Sequence, residues 1–327
     1  MSGRFADRRV LVTGASRGIG AAIAERFAAE GAAVAIVART LDHHDHLAGS
    51  LRETCDRMTR HGARVFTIVA DLTDETDRAR IVPEAIAGLG GPIEILVNNA
   101  AAAMYAPLEA FPLRRRRLTF EANVHAPLDL AQGVIPAMRA AGQGWIVNLS
   151  SGSTRLAAGP PFAVGPQGST IAVYGASKAA LNRITNGLGV ELYGTGIRVN
   201  TVEPRAAVLS EGAAELVGAT LRPDQIESME EMVEAVIALC DCPAEAGSWS
   251  ASILSPSGAS LSTDSTGRRS LDGSSARRAA ADRRFRDRRV VGCRSVANHG
   301  RGSWHRSLRR DRRSAGVAAT RARRRRA

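Results

Sequence analysis

Tyr174 and Lys178 are the two residues whose types and spacing define a reaction. They stand one helical turn apart in Val173-Tyr174-Gly175-Ala176-Ser177-Lys178-Ala179-Ala180-Leu181. That segment reads as a helix start, so phenol and ammonium share one face. Free tyrosine titrates near pH ~10, too high to trade protons readily at neutral pH. A cation about 4 Å away, at an effective dielectric of about 20, favours the phenolate by up to ~4 kcal/mol. The expected chemistry is proton transfer at an oxygen, with the tyrosine pKa lowered by the lysine. Lys178 is the only lysine in the chain, beside 43 arginines. Arginine has taken every other basic position, and a wide planar fork does not replace a compact ammonium here.

A second set of residues suits a dinucleotide. Gly14-Ala15-Ser16-Arg17-Gly18-Ile19-Gly20 follows the β-rich run Arg9 to Thr13 and precedes a helical pattern from Ala21 to Glu30. Strand, glycine turn and helix form the first unit of a dinucleotide-binding fold. The glycines let backbone N–H groups and the helix N-terminus approach a pyrophosphate. Gly14, Ser16, Arg17, Gly18, Ile19 and Gly20 are the candidate cofactor contacts. The next strand, Ala33 to Ala38, ends in Arg39. A carboxylate there would bind a ribose 2′-OH, whereas Arg39 and Arg17 suit a 2′-phosphate. NADP(H) is therefore expected, with NAD(H) as the alternative. Asp71-Leu72 closes a third strand, Val65 to Ala70, and Asp71 is placed to accept the adenine amino group. Asn98-Asn99-Ala100-Ala101 ends a fourth, Ile93 to Val97, with Asn98 and Ala100 as further candidate contacts.

The elements that must position these groups alternate. Helices are predicted around Leu51 to His61, Asp77 to Leu89, Leu113 to Met138 and Glu227 to Leu239. Strands are predicted at Gly144 to Ser151 and Ile197 to Val202. Glycine, proline and serine mark Gly152 to Gly168 as a loop over the site, and Glu203 to Arg222 reads as irregular. Alternating strands and helices argue a Rossmann-type, doubly wound parallel α/β sheet in a single domain, with ligands beyond the carboxyl ends of its strands. Arg114 to Arg117 read as a solvated or subunit-facing surface, and His43, His44 and His46 as an exposed polar turn rather than a metal site.

Over about residues 5–246 the chain resembles a classical short-chain dehydrogenase/reductase. The motifs that carry the resemblance are Thr13-Gly14-x-x-x-Gly18-Ile19-Gly20, Asp71-Leu72, Asn98-Asn99-Ala100, Asn123, Ser150-Ser151, Tyr174-x-x-x-Lys178 and Arg198-Val199-Asn200. The resemblance implies an oxidoreductase acting on a small carbonyl or alcohol substrate. It makes Tyr174 the acid for ketone reduction and the base for alcohol oxidation. Lys178 would lower the tyrosine pKa and hold the nicotinamide ribose, Ser151 would bond the substrate oxygen, and Asn123 would support a proton relay through water. It also implies a homo-oligomer. Three departures stand out. Ala101 replaces a usual glycine. The 23-residue gap between Ser151 and Tyr174 is enlarged, which leaves Ser150 or Ser153 as alternative serines. Pro204-Arg205 and Leu209 replace Pro-Gly and a customary threonine near the nicotinamide amide.

Composition divides the chain in two. Residues 1–246 hold 23 basic and 27 acidic residues, whereas residues 247–327 hold 21 and 5. The latter stretch lacks apolar periodicity and reads as a disordered arginine-rich tail. Reading Ala246 to Leu254 from the third base of Ala246 yields a credible closing strand, which suggests a frameshifted translation product. The alternative is an arm that binds nucleic acid nonspecifically. Four scattered cysteines, no signal-peptide core and no apolar run of spanning length point to a soluble cytoplasmic protein without membrane attachment. Besides the NADP(H)-dependent enzyme, a catalytically impaired nucleotide-binding relative is the second reading.

Overall fold

The computed structural model describes residues 3–43, 46–162, 170–204, 207–217 and 226–241. His44, Arg205 and the basic tail expected from 247 onward lie outside the described residues. The strands are β1 (Arg9–Thr13), β2 (Ala33–Ala38), β3 (Val65–Val69), β4 (Ile95–Asn98), β5 (Gly144–Leu149) and β6 (Ile197–Val202). They form one parallel sheet in the order β3-β2-β1-β4-β5-β6. β4, β5 and β6 are buried at every position, which is why they read as continuous apolar runs instead of alternating ones.

Helices cover both faces. One layer contains α1 (Gly18–Ala29), α2 (Leu51–Thr59) and, late in the chain, α8 (Met229–Cys240). Its core is built from Val12, Ile23, Phe27, Ile36, Met58, Val147, Val236 and Ile237. The other layer contains α3 (Glu75–Leu89), α4 (Leu113–Phe120), α5 (Ala126–Ala141) and α6 (Ala172–Glu191), packed on Leu11, Ile68, Ile81, Leu96, Leu130 and Ile146. Local chemistry sets the helix starts. Ser50, Asp74 and Ser228 each accept from a backbone N–H three residues on, satisfying a donor that the first turn leaves unpaired.

Two places differ from the sequence reading. The expected continuous helix from Leu113 to Met138 is interrupted by a π-turn at Glu121–His125. The stretch expected to be irregular contains β7 (Ala207–Val208), which pairs with β8 (Ile226–Glu227), and α7 (Glu211–Val217). Both features are set by packing. The π-turn is clamped by buried Arg78 of α3, which bonds Glu121 at 2.9 Å, Asp129 at 2.6 Å and the Leu72 carbonyl at 3.1 Å. Among the described residues no helix is long and apolar enough to cross a membrane.

Candidate active site

The glycine turn lies where β1 and β4 part company, the switch point at which the crossovers leave in opposite directions. Gly14 and Gly18 have φ of 66° and 55°, a region that L side chains rarely adopt. A Cβ on Gly20 would lie 2.3 Å from the Gly14 carbonyl oxygen, and one on Gly14 would lie 2.8 Å from Ala100 Cα. The turn is pinned from β4. The Asn99 amide donates to the Thr13 and Gly14 carbonyls at 2.9 and 3.1 Å. The Asn99 and Ala100 backbone N–H groups both donate to Thr13 Oγ1 at 3.1 Å. Ser16 is nearly buried, and Ile19 packs against the core on the α1 side. The turn thus presents a backbone cradle at the N-terminus of α1, the setting in which a diphosphate is favoured.

Asn98 and Ala100 are the expected cofactor contacts after β4, and the side chains of the two neighbouring asparagines part here. The Asn98 side chain turns to the opposite face. There its amide donates to Asn148 Oδ1 at 2.8 Å and to the Pro127 carbonyl at 3.4 Å. Asn148 donates in turn to Thr185 of α6 at 2.8 Å. Successive residues on a strand point to opposite faces, so Asn98 ties the sheet to α5 and α6 while Asn99 shapes the turn.

Burial lowers the Arg17 pKa, and the Arg39 guanidinium, just beyond the end of β2, adds a smaller push in the same direction. Arg17 donates to the Gly49 carbonyl at 2.8 Å, while its buried Nε has no partner among the described residues. Two neighbouring cations with an unspent donor fit a 2′-phosphate. Two carboxylates also act on Arg17, Glu211 at the start of α7 more strongly than Glu53 of α2. A Cβ added to Gly18 would lie 3.3 Å from Glu211 Oε2 and 2.7 Å from Ser210 Cβ. Asp71 stands at the end of β3, where its Oδ1 accepts from the Thr73 N–H and hydroxyl, both at 2.9 Å. Leu72 is partly buried against the core beside it.

Across the crevice, α6 brings Tyr174 and Lys178 to the end of β5. Lys178 is 2% exposed and donates to the Leu149 carbonyl at 2.7 Å; burial pulls its pKa down to about 8. Burial pushes the Tyr174 phenol up to about 12, and Ser151, close enough for its hydroxyl to favour the phenolate, offsets this only in part. The expected depression by Lys178 is therefore not what this arrangement produces. The ammonium is held by a backbone carbonyl, and the phenol is dominated by loss of solvent. Of the three candidate serines, Ser151 is the one brought to Tyr174. The Ser150 and Ser153 hydroxyls have no partner among the described residues. Gly175 lets α6 approach this loop, since a Cβ there would lie 2.5 Å from the Ser153 carbonyl oxygen.

Asn123 sits in the π-turn, fully buried. Its amide donates to the Ala102 carbonyl and to Ser177 Oγ, both at 3.0 Å, and its oxygen accepts from Ala102 N at 2.8 Å. Ser177 donates to the Tyr174 carbonyl at 2.7 Å. Asn123 thereby joins the segment after β4 to the first turn of α6, and such π-turns recur at functional sites. Tyr105, on that same segment, packs its ring edge-to-face against Tyr174 with centroids 5.9 Å apart. Sequence reasoning does not find it. A surface hollow of about 300 Å³ between α1 and α8, lined by Ala22, Arg26, Met229 and Val233, belongs to the helix flank and not to this site.

Comparison with known proteins agrees with this geometry. The model of the family described as short chain dehydrogenase matches residues 8–217. The hydroxysteroid dehydrogenase-like protein 2 of Mus musculus is 30% identical over 248 residues, covering 74% of this chain and 47% of that protein. A fatty acyl-CoA reductase of Mycobacterium tuberculosis is 34% identical over 197 residues, covering 60% of this chain and 61% of that protein. The chain spans about half the length of the hydroxysteroid dehydrogenase-like relatives it matches. A crystal structure of a metagenomic short-chain oxidoreductase in complex with NADP superimposes with a TM-score of 0.61 at 25% identity, covering 76% of this chain and 98% of that one. With its nucleotide cradle and Tyr174–Lys178 pair on this topology, the chain belongs to the short chain dehydrogenase family.

Proposed function

We propose that the protein is an NADP(H)-dependent oxidoreductase that interconverts a ketone and a secondary alcohol, with Tyr174 exchanging the proton. The observation that carries this reading is the placing of Tyr174 near Ser151, with Lys178 buried one turn on and bonded to the Leu149 carbonyl at the end of β5, the same end of the sheet as the glycine cradle. The cradle and the N-terminus of α1 would hold the diphosphate, Arg17 and Arg39 the 2′-phosphate, and Lys178 the nicotinamide ribose. When bound, the cofactor supplies a hydride to the carbonyl carbon or accepts one from it.

Ser151 orients the substrate oxygen toward Tyr174, and in reduction the phenol O–H breaks as the new alcohol O–H forms. A phenol pushed up to about 12 stays protonated at neutral pH, so Tyr174 is stocked as an acid, the form that reduction requires. Asn123 fixes the backbone on both sides of this pair. Exposed Leu108, Leu156 and Phe162, on the segments that leave β4 and β5, support a substrate with an apolar body. So do the names of the relatives that act on acyl-CoA or are likened to hydroxysteroid enzymes.

The test is NADPH consumption with a panel of ketones, aldehydes and acyl thioesters, with the alcohol identified as product. Turnover that requires NADPH and yields the alcohol supports the reading; cofactor binding without turnover on any of them refutes it. The second reading, a nucleotide-binding relative with impaired catalysis, draws on Leu209 in place of the customary threonine, and it predicts that outcome.

A further inference from the structure

In the proposed reaction Ser151 and Tyr174 share one substrate oxygen, and a third hydroxyl-bearing residue, Tyr105, packs against Tyr174. It stands on the segment between β4 and α4, which is held at both ends. Asn123 grips Ala102 by backbone N–H and carbonyl, and the Ala106 N–H donates to the Thr170 carbonyl at 3.2 Å. The Tyr105 ring meets the Tyr174 ring at an interplanar angle of 78°. The rings are close enough that a charge on Tyr105 would raise the pKa of Tyr174. Burial raises Tyr105 above its ordinary value of 10.0, so at neutral pH it is a protonated donor. No hydrogen bond to its hydroxyl is found among the described residues.

The Tyr105 hydroxyl is not one of the fully buried unpartnered atoms, so it is open to water and free to exchange that bond for one to a ligand. Packing against Tyr174 requires only the ring; phenylalanine would serve as well. The hydroxyl therefore points to a ligand.

Resting on the reading of Tyr174 as the proton-exchanging group, we propose that Tyr105 is a specificity-determining residue whose hydroxyl donates to a second substrate oxygen adjacent to the reacting carbonyl. The site would then take vicinal or β-dicarbonyl compounds in preference to simple ketones. One oxygen lies between Ser151 and Tyr174, while the other faces Tyr105 across the edge-to-face pair. No bond to Tyr105 is made or broken; it binds and orients.

The experiment pairs an enzyme change with a substrate change. Full-length protein and Tyr105→Phe are compared for NADPH-dependent reduction of diacetyl, ethyl acetoacetate and butanone. The variant keeps the ring and removes one donor. The expected result is a loss of kcat/KM of about tenfold or more on one or both dicarbonyl compounds, with butanone unchanged within about twofold. Diacetyl and ethyl acetoacetate distinguish vicinal from β spacing. An equal loss on all three compounds would mean that Tyr105 acts only by packing on Tyr174, and no loss on any would mean that the hydroxyl touches nothing; either result overturns the proposal. Wild-type protein that binds NADPH but reduces none of the three counts against the oxidoreductase reading itself. Tyr105→Leu, which removes the ring, should lower kcat on butanone as well and so reports the packing role separately.

Discussion

Replacing Lys178 by methionine should stabilise the protein at neutral pH while abolishing turnover. The ammonium is 2% exposed, and burial pulls its pKa from 10.5 to about 8. Every tenfold loss of proton affinity is worth ~1.4 kcal/mol, so holding that proton in the fold costs about 3 kcal/mol. Methionine fills much of the volume of the lysine stem. What it gives up is the bond to the Leu149 carbonyl, about 1 kcal/mol net. The balance favours the variant by about 2 kcal/mol, or roughly 4–8 °C in melting temperature for a domain of this size.

The pH dependence follows from the direction in which burial moves this base. Its folded-state pKa lies below its unfolded value, so between about 8 and 10.5 the unfolded chain binds more protons. Stability of the wild type therefore rises with pH across that window, and the full penalty applies below it. Thermal melts of both proteins at several pH values should show Lys178→Met ahead at neutral pH, with the gap closing toward alkaline pH. A variant that melts lower at neutral pH, or a gap that does not change with pH, would refute the reasoning.

Other consequences are tested by binding and rate. Arg39→Ala should weaken NADPH by about tenfold or more through loss of a charge-assisted contact and leave NADH affinity nearly unchanged, as read by nucleotide fluorescence. Glu211→Gln removes a carboxylate from beside Gly18 and Arg17 and should tighten NADPH by roughly fivefold at low salt, with the gain shrinking as salt rises. Alcohol oxidation needs the phenolate of a group held near 12, so its rate should climb through the alkaline range while ketone reduction stays level near neutrality.

The sheet is largely legible because buried parallel strands leave uninterrupted apolar runs between glycine turns. Arg9–Thr13, Ala33–Ala38 and Ile197–Val202 begin and end where the sequence places them. What escapes depends on three-dimensional neighbours. Nothing in Glu121-Ala-Asn-Val-His125 announces a π-turn, since it rests on Arg78 from α3 and on the grip of Asn123 on Ala102. Adjacent identical asparagines cannot be assigned to opposite faces until the strand register is known, so the sequence does not reveal that Asn99 pins the glycine turn while Asn98 ties the sheet to α5 and α6. The spacing of Tyr174 and Lys178 suggests a phenol whose pKa the lysine lowers. Burial reverses the expected direction of the tyrosine pKa, and the Leu149 carbonyl takes the ammonium. Tyr105 gives no signal because its segment lacks periodicity, and only the folded chain brings it to Tyr174.

Single-turnover hydride transfer from NADPH in Tyr174→Phe, measured alongside NADPH affinity, tests the assignment of the proton to this residue most directly. The account predicts a rate lower by about a hundredfold or more, with affinity unchanged. A variant that reduces the same ketone at the wild-type rate would contradict it.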